Sequence, residues 1–157
     1  MSVEEKIVEI LLRLGMTVAT AESCTGGLVA ANLVDVAGVS AAFNEGYITY
    51  ANESKERLLG VRTETLQAFG AVSEETAREM ALGAAKAAEA DCSVVTTGIA
   101  GPGGGTPEKP VGLVYIGCCV KDSVTVKKCQ FQGSRTQIRT DAAKAALTLL
   151  LEQLRKM

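Results

Sequence analysis

A run of small and hydroxyl-bearing residues, Thr20–Gly27, contains a serine between a predicted strand and a predicted helix. Backbone N–H groups at a helix start are unpaired, so they could hold an oxyanion or a phosphate while the Ser23 hydroxyl attacks a carbonyl carbon. Gly26 and Gly27 leave the backbone open to a ligand. The same pattern also fits a plain turn, in which Ser23 or Thr25 only caps the helix.

The chain contains no histidine, so a serine nucleophile would need another base. This absence excludes Ser-His-Asp and Cys-His catalysis and zinc sites built on imidazole. A lysine with a depressed pKa is the usual substitute, and Lys55, about one turn into a predicted helix, is the candidate. Lys55 lies in a charged stretch, so a solvated surface lysine is the alternative. Without a nearby histidine, Cys24 is interpreted as a small packed residue rather than a nucleophile.

A Gly-rich segment, Gly98–Pro110, follows a predicted strand and could wrap a phosphate with its backbone N–H groups. It matches neither the P-loop nor the GxGxxG pattern, so a flexible surface loop is the alternative. Arg135 and Arg139 lie four residues apart in the last predicted helix and therefore share a face. They could clamp an anion, or they could be ordinary surface arginines.

The elements that must position these residues alternate between helices and strands. Capping signals and hydrophobic periodicity predict helices over 2–14, 28–36, 52–59 (with Asn52 as the cap), 63–69, 73–90 and 134–156. β propensity predicts strands over 17–21, 47–50, 92–97, 111–120 and 124–131. This alternation predicts a layered α/β domain with helices on both faces of a mixed sheet. The hairpin around residues 121–123 requires at least one antiparallel pair.

Composition restricts the class of protein. The chain has 157 residues with a net charge of −2, and its lysines and arginines are scattered, so we expect no nucleic-acid partner and no anionic membrane. No apolar run approaches the roughly 20 residues that span a bilayer. The five cysteines follow no disulfide framework and no leader peptide is evident, which indicates a cytoplasmic protein with reduced thiols.

Several segments together resemble a known family. The motifs AESCTGG (21–27), GxxTYxNxxK (46–55) and GIAGPxGG (98–105), with further matches at 70–73 and 109–112, are similar to those of the CinA C-terminal domain family (competence/damage-inducible protein). The characterised enzymes of that family are nicotinamide-nucleotide amidohydrolases. The resemblance runs from about residue 4 to 154. The molybdopterin-binding-like amino-terminal domain of full-length members is missing, which implies a stand-alone form with one amidohydrolase domain over 1–157.

The resemblance implies a fold, a reaction and an assembly. The expected fold is a three-layer α/β/α sandwich with a mixed, mostly parallel sheet of about five strands, and the expected assembly is a homodimer. The expected reaction is the hydrolysis of nicotinamide mononucleotide to nicotinate mononucleotide and ammonia, without a metal or cofactor. The family's nucleophile falls on Ser23, its lysine on Lys55 and its tyrosine on Tyr50, which could hydrogen-bond the Ser–Lys pair.

The resemblance and the residue chemistry also indicate a substrate-binding set. The backbone N–H groups after Ser23 would hold the oxyanion, the family's hydroxyl residue before GIAG falls on Thr97, and its arginine falls on Arg139 or Arg135. The predicted binding residues are Cys24, Thr25, Gly26, Thr97, Gly98, Gly101, Arg135 and Arg139.

Two other functions stay open at this point. One is a catalytically silent nucleotide-binding or competence-related interaction module, which would not require both Ser23 and Lys55. The other is an amidase that acts on a different small amide.

Overall fold

A computed structural model describes all residues, 1–157, as six α-helices, one short 3₁₀ helix and five strands. The helices are α1 (Val3–Leu14), α2 (Leu28–Val34), α3 (Asn52–Leu59), α4 (Thr63–Phe69), α5 (Glu74–Ala87) and α6 (Arg135–Leu154). The strands are β1 (Val18–Glu22), β2 (Phe43–Ile48), β3 (Cys92–Gly98), β4 (Leu113–Val120) and β5 (Ser123–Gln130), and the 3₁₀ helix is Val39–Ala41.

The five strands form one mixed sheet in the order β2-β1-β3-β4-β5. β1 pairs in parallel with both β2 and β3, whereas β4 is antiparallel to β3 and to β5. Four of the five strands therefore run in the same direction, and only β4 opposes them. The prediction of an α/β fold with a mixed, mostly parallel sheet of about five strands is confirmed.

Helices cover both faces of the sheet. α1, α2 and α6 pack together on one face, and α5 lies across the other face with α3 and α4 against it. The side chains of β3 alternate accordingly, because Val94 belongs to the larger hydrophobic core and Val95 to the smaller one. The residues of the central strands β1, β3 and β4 thus point into two separate cores, which gives the α/β/α layering.

The second strand differs from its prediction. β propensity places it at 47–50, but it spans Phe43–Ile48 and ends before Thr49 and Tyr50. Its first half, with Asn44, Glu45 and Gly46, has poor β propensity, yet it pairs with β1, with a shift in register that leaves Asn44 without a partner. Pairing with a buried neighbour overrides local propensity here. The helix that follows is capped by Ala51 without a side-chain hydrogen bond, so the prediction of Asn52 as its cap is wrong.

No helix is long and apolar enough to cross a membrane. All five cysteines are free thiols, and four of them are buried.

Candidate active site

The carboxyl ends of β1, β2 and β3 meet at one edge of the sheet, and the predicted catalytic residues lie there. β1 is followed by Ser23, β2 by Thr49 and Tyr50, and β3 by the Gly-rich loop. In open α/β sheets this edge is where ligands bind, because loops from neighbouring parallel strands converge on it.

Backbone hydrogen bonds to both neighbouring strands hold Ser23 in place. Its N–H donates to the Thr96 carbonyl at 3.1 Å, and the preceding Glu22 carbonyl accepts from the Thr49 N–H at 2.8 Å. Ser23 is only 9% exposed, so it is almost fully buried at this edge of the sheet. We call residues Ser23–Gly27, which connect β1 to α2, the serine turn.

The Glu22 side chain anchors the serine turn and the start of α2, and sequence reasoning missed this role. The buried carboxylate accepts hydrogen bonds from the Thr25 hydroxyl and from the backbone N–H groups of Gly27, Val29 and Ala30. It therefore occupies the positive end of α2, where the Ser23 hydroxyl was expected. The signal was the only charged residue of a short strand, six residues before a helix that has no side-chain cap of its own.

Lys55 is buried at 1% exposure, although it lies in a charged stretch of sequence. On α3 it shares the inward face with Leu59, one turn later, so it takes the place of an apolar anchor. Its Nζ lies 3.1 Å from the Ser23 Oγ and 2.6 Å from the Thr49 carbonyl oxygen. The neighbouring Thr49 hydroxyl is buried and has no hydrogen-bond partner.

Burial lowers the pKa of Lys55 from 10.5 to about 8. The physical cause is desolvation of the ammonium, and no carboxylate pairs with it. A neutral Lys55 can keep one N–H on the Thr49 carbonyl and direct its lone pair at the Ser23 O–H. The arrangement thus suits a general base that works near neutral pH.

Two backbone donors of the serine turn are unused. The N–H groups of Cys24 and Thr25 donate to no protein acceptor, whereas that of Gly26 is bonded to the Ser23 carbonyl. Free N–H groups directly after a nucleophile are the usual donors of an oxyanion hole. The Cys24 thiol is buried, which raises its pKa to about 11 and keeps it protonated, as expected of a packed residue.

Tyr50 does not bond to the Ser–Lys pair. Its side chain is 61% exposed, and its hydroxyl accepts a hydrogen bond from the Arg135 Nη2 at 3.0 Å. The Arg135 Nη1 donates to the Gly101 carbonyl at 2.7 Å. Arg135 therefore links the start of the Gly-rich loop to the segment after β2, whereas residues 102–108 of that loop are exposed at the surface, as the alternative prediction had it.

Arg139 has a different set of partners one turn further along α6. Its Nε donates to the Cys24 carbonyl and its Nη2 to the Thr25 carbonyl, both at 3.0 Å. The side chain is half-buried, whereas Arg135 is exposed. The two arginines share a helix face as predicted, but they contact different parts of the site.

Thr97 does not present its hydroxyl to a ligand. The side chain is 1% exposed, and its Oγ1 donates to the Ala71 carbonyl at 2.8 Å. Its place among the substrate-binding residues stays a prediction, and in this arrangement the hydroxyl is bonded within the protein. Gly98, the last residue of β3, is half-buried. It packs so closely on Val114 that a side chain there would overlap the Val114 side chain and backbone.

Positive charge at this edge is not neutralised by ion pairs. Every salt bridge in the structure involves other residues, and neither Arg135, Arg139 nor Lys55 has an acidic partner. The two arginines are therefore cations without an ion-pair partner, and such cations beside a predicted nucleophile favour an anionic ligand.

Similarity to known proteins agrees with the motifs. The CinA C-terminal domain family matches residues 1–154 of the chain. A CinA-like protein of Kosmotoga olearia is 60% identical over 146 residues, which cover 93% of this chain and 35% of the relative. A second relative, from Clostridium beijerinckii, is 52% identical over 95% of this chain and 36% of its own length. The chain thus spans about a third of the length of these curated relatives.

Solved structures show the same fold. The competence/damage inducible protein CihA from Agrobacterium tumefaciens superposes with a TM-score of 0.94 at 44% identity, over 98% of this chain and 93% of that one. A CinA superfamily protein from Escherichia coli superposes with a TM-score of 0.90 at 32% identity, over 97% and 90% of the two chains. These names describe competence or damage induction and state no chemical activity.

Proposed function

The chain belongs to the CinA C-terminal domain family, and from that premise we propose that it is a serine–lysine amidohydrolase acting on nicotinamide mononucleotide. In this proposal residues 1–157 form one amidohydrolase domain that releases ammonia and nicotinate mononucleotide. The reaction would serve the recycling of pyridine nucleotides.

One observation carries the proposal, namely the contact between the buried Lys55 Nζ and the Ser23 Oγ at 3.1 Å. Burying an amine is costly unless hydrogen bonds compensate, and a solvated surface lysine would not be placed against a serine hydroxyl in this way. A binding module would require neither the nucleophile nor the lowered pKa of Lys55. The pair therefore favours catalysis over the silent nucleotide-binding alternative.

Acylation would proceed without imidazole. The Ser23 Oγ attacks the carboxamide carbon while neutral Lys55 accepts the hydroxyl proton. The N–H groups of Cys24 and Thr25 stabilise the negative oxygen of the tetrahedral intermediate. Lys55 then passes its proton to the leaving nitrogen, the C–N bond breaks, and ammonia departs from a nicotinoyl ester of Ser23.

Deacylation would use the same groups in reverse. Lys55, neutral again, accepts a proton from a water molecule that attacks the ester carbon. The second tetrahedral intermediate occupies the same oxyanion hole. Its collapse breaks the ester bond, returns the proton to the Ser23 Oγ and releases the carboxylate product.

The charge of the site supports a phosphate-bearing substrate. Arg135 is exposed, has no acidic partner and uses only two of its N–H donors, on the Gly101 carbonyl and the Tyr50 hydroxyl. Its planar guanidinium can bind two phosphate oxygens at once. In the proposal Arg135 holds the phosphate, together with backbone N–H groups of the Gly-rich loop, and Tyr50 orients the guanidinium.

The proposal includes a setting and an assembly. We place the protein in the cytoplasm, where its five free thiols would stay reduced. A homodimer remains a prediction from the family resemblance, which sedimentation velocity of the purified chain would test.

Ammonia release from nicotinamide mononucleotide tests the function directly. We expect activity in the wild type and near-complete loss in Ser23→Ala and Lys55→Met, with cooperative unfolding retained. The matched controls are Ser123→Ala and Lys86→Met, since both residues are exposed and lie near the amino end of β3, opposite the carboxyl ends that form the site. Activity should survive treatment with a chelator.

The possible results separate the candidate functions. Full activity in Ser23→Ala would refute the covalent mechanism. Nucleotide binding without ammonia release in the wild type would point to the silent module. Ammonia release from another amide, but not from the nucleotide, would keep the mechanism and replace the substrate.

A further inference from the structure

One guanidinium holds two consecutive carbonyl groups of the serine turn. Arg139 donates from Nε to the Cys24 oxygen and from Nη2 to the Thr25 oxygen, each at 3.0 Å. It packs directly on Gly26, where an added Cβ would lie 3.2 Å from the Nη2. Gly26 also has a φ of +60°, so both its conformation and its lack of a side chain suit this contact.

These contacts fix the direction of the neighbouring N–H groups, because the C=O and N–H of a trans peptide point in opposite directions. With the Cys24 carbonyl held on Arg139, the Thr25 N–H is aimed away from the guanidinium. With the Thr25 carbonyl held there, the Gly26 N–H is aimed at the Ser23 carbonyl, which it reaches at 3.0 Å. That bond in turn fixes the peptide that carries the Cys24 N–H.

From this geometry we infer that Arg139 is a positioning residue, which presets the Cys24 and Thr25 N–H groups as oxyanion donors and does not bind the substrate's phosphate. The inference deepens the proposed function and rests on it, since it requires Ser23 to be the nucleophile. Glu22 holds the same turn from the α2 side through the Thr25 hydroxyl. The serine turn is thus fixed between one anion and one cation.

Arginine suits this task better than lysine. Its planar fork presents two donors at fixed spacing, whereas an ammonium is a point charge that would satisfy one carbonyl well. Packing also holds the backbone of Arg139 in place, because the preceding residue, Ile138, is 1% exposed and lies in the larger hydrophobic core. Arg135 contacts no part of the serine turn, so it serves as the internal comparison.

Two assays distinguish positioning from phosphate binding. The first is the steady-state hydrolysis of nicotinamide mononucleotide by Arg139→Lys, Arg139→Met and Arg135→Lys, analysed for kcat and KM separately. The second is the rate at which a small uncharged alkyl fluorophosphonate labels Ser23, followed by mass spectrometry. In that reaction an Oγ–P bond forms, the P–F bond breaks, fluoride leaves and Lys55 takes the proton. The probe has no nucleotide phosphate, so a phosphate-binding residue cannot affect it through that group.

For the Arg139 variants we expect kcat to fall about 10- to 100-fold with KM within about threefold, as for a misaligned oxyanion hole. Labelling should slow by a similar factor, and less in Arg139→Lys than in Arg139→Met because the lysine keeps one donor. Arg135→Lys should raise KM and leave the labelling rate unchanged. If Arg139→Met does not unfold cooperatively, Arg139→Lys carries the comparison.

The opposite pattern overturns the inference: a raised KM and unchanged labelling in the Arg139 variants would make Arg139 a phosphate ligand. If the wild type is labelled but releases no ammonia from the nucleotide, the proposed substrate fails and the labelling rates alone decide the role of Arg139. If the wild type is neither labelled nor active, Ser23 is not an activated nucleophile and the inference fails with it.

Discussion

Replacing Lys55 by methionine should abolish activity. At neutral pH it should also restore the part of the free energy of unfolding that the wild type loses to a buried ammonium. Methionine fills a similar volume without a charge, and Lys55 is among the largest fully buried side chains. Below pH about 8 the wild-type fold carries a buried ammonium, which the unfolded chain would solvate freely. Function is therefore expected to cost stability at this one position.

The magnitude follows from the two pKa values. The pKa of Lys55 is about 8 in the folded protein, and in the unfolded chain it takes the ordinary lysine value of 10.5. Each tenfold difference in proton affinity corresponds to about 1.4 kcal/mol. The cost to the free energy of unfolding is thus about 3 kcal/mol below pH 8, and it disappears as the pH rises towards the unfolded pKa. Methionine also leaves the Thr49 carbonyl without a donor, a penalty of about 1–3 kcal/mol that does not vary with pH.

The test is the pH dependence of the difference between variant and wild type. Urea denaturation of both proteins at pH 7 and pH 10 should show the advantage of Lys55→Met shrinking by about 2–3 kcal/mol at the higher pH. Other titrating groups are common to both proteins and cancel. Lys86→Met, at an exposed lysine, should differ from wild type equally at both values. A Lys55→Met difference that is the same at pH 7 and pH 10 would refute the lowered pKa and remove the physical basis of the base.

Four other outcomes follow from the same structure. With rising pH, kcat/KM for ammonia release should increase through an apparent pKa of about 8, the value of Lys55, since only the neutral amine accepts a proton. A value of kcat/KM that is flat between pH 6 and 9 would contradict this. Glu22→Gln should lower the free energy of unfolding by about 2–4 kcal/mol in urea titrations, because an amide cannot accept every hydrogen bond that the carboxylate accepts. An unchanged urea midpoint would argue against Glu22 as the anchor of the serine turn. Gly83→Ala should lower the free energy of unfolding by more than about 3 kcal/mol in urea titrations, since the added Cβ would overlap the Leu59 carbonyl oxygen. Helix propensity alone would make the alanine variant more stable, and that result would disprove the close approach of α5 to α3. Thr49→Val should raise the thermal midpoint slightly, by the equivalent of about 1 kcal/mol, because it removes a buried hydroxyl that has no partner; a clear loss of stability would reveal a bond to that hydroxyl.

Much of the fold could be predicted from local patterns. The Ser2–Glu5 capping box, with its hydrophobic periodicity, placed α1 correctly, and Ser73 and Ser134 cap α5 and α6 as their positions suggested. These signals depend on residues within one or two turns of each other, so they can be read without knowing the fold. The first half of β2, residues 43–46, could not be found this way, because its pairing with β1, rather than its own residues, makes it a strand.

The site was predicted in its parts but not in its connections. The sequence predicts the Ser23 and Lys55 pair through the missing histidine, the motif spacing and the family resemblance. It also draws Tyr50 and Thr97 into the site, but the Tyr50 hydroxyl bonds to Arg135 and the Thr97 hydroxyl to the Ala71 carbonyl. Hydroxyl partners depend on side-chain directions, and motif spacing contains no information about those.

The sequence by itself therefore determined the chemistry that is available to this protein: a serine, a lysine, no imidazole, and a turn with two glycines. Tertiary structure decided whether that chemistry could work. The lowered pKa of Lys55, on which its proposed role as a base depends, arises because packing removes water from it, and the serine turn is held by Arg139, which is 115 residues away from Cys24 in the chain. Desolvation and long-range hydrogen bonds belong to segments brought together by folding, so no local pattern can encode them.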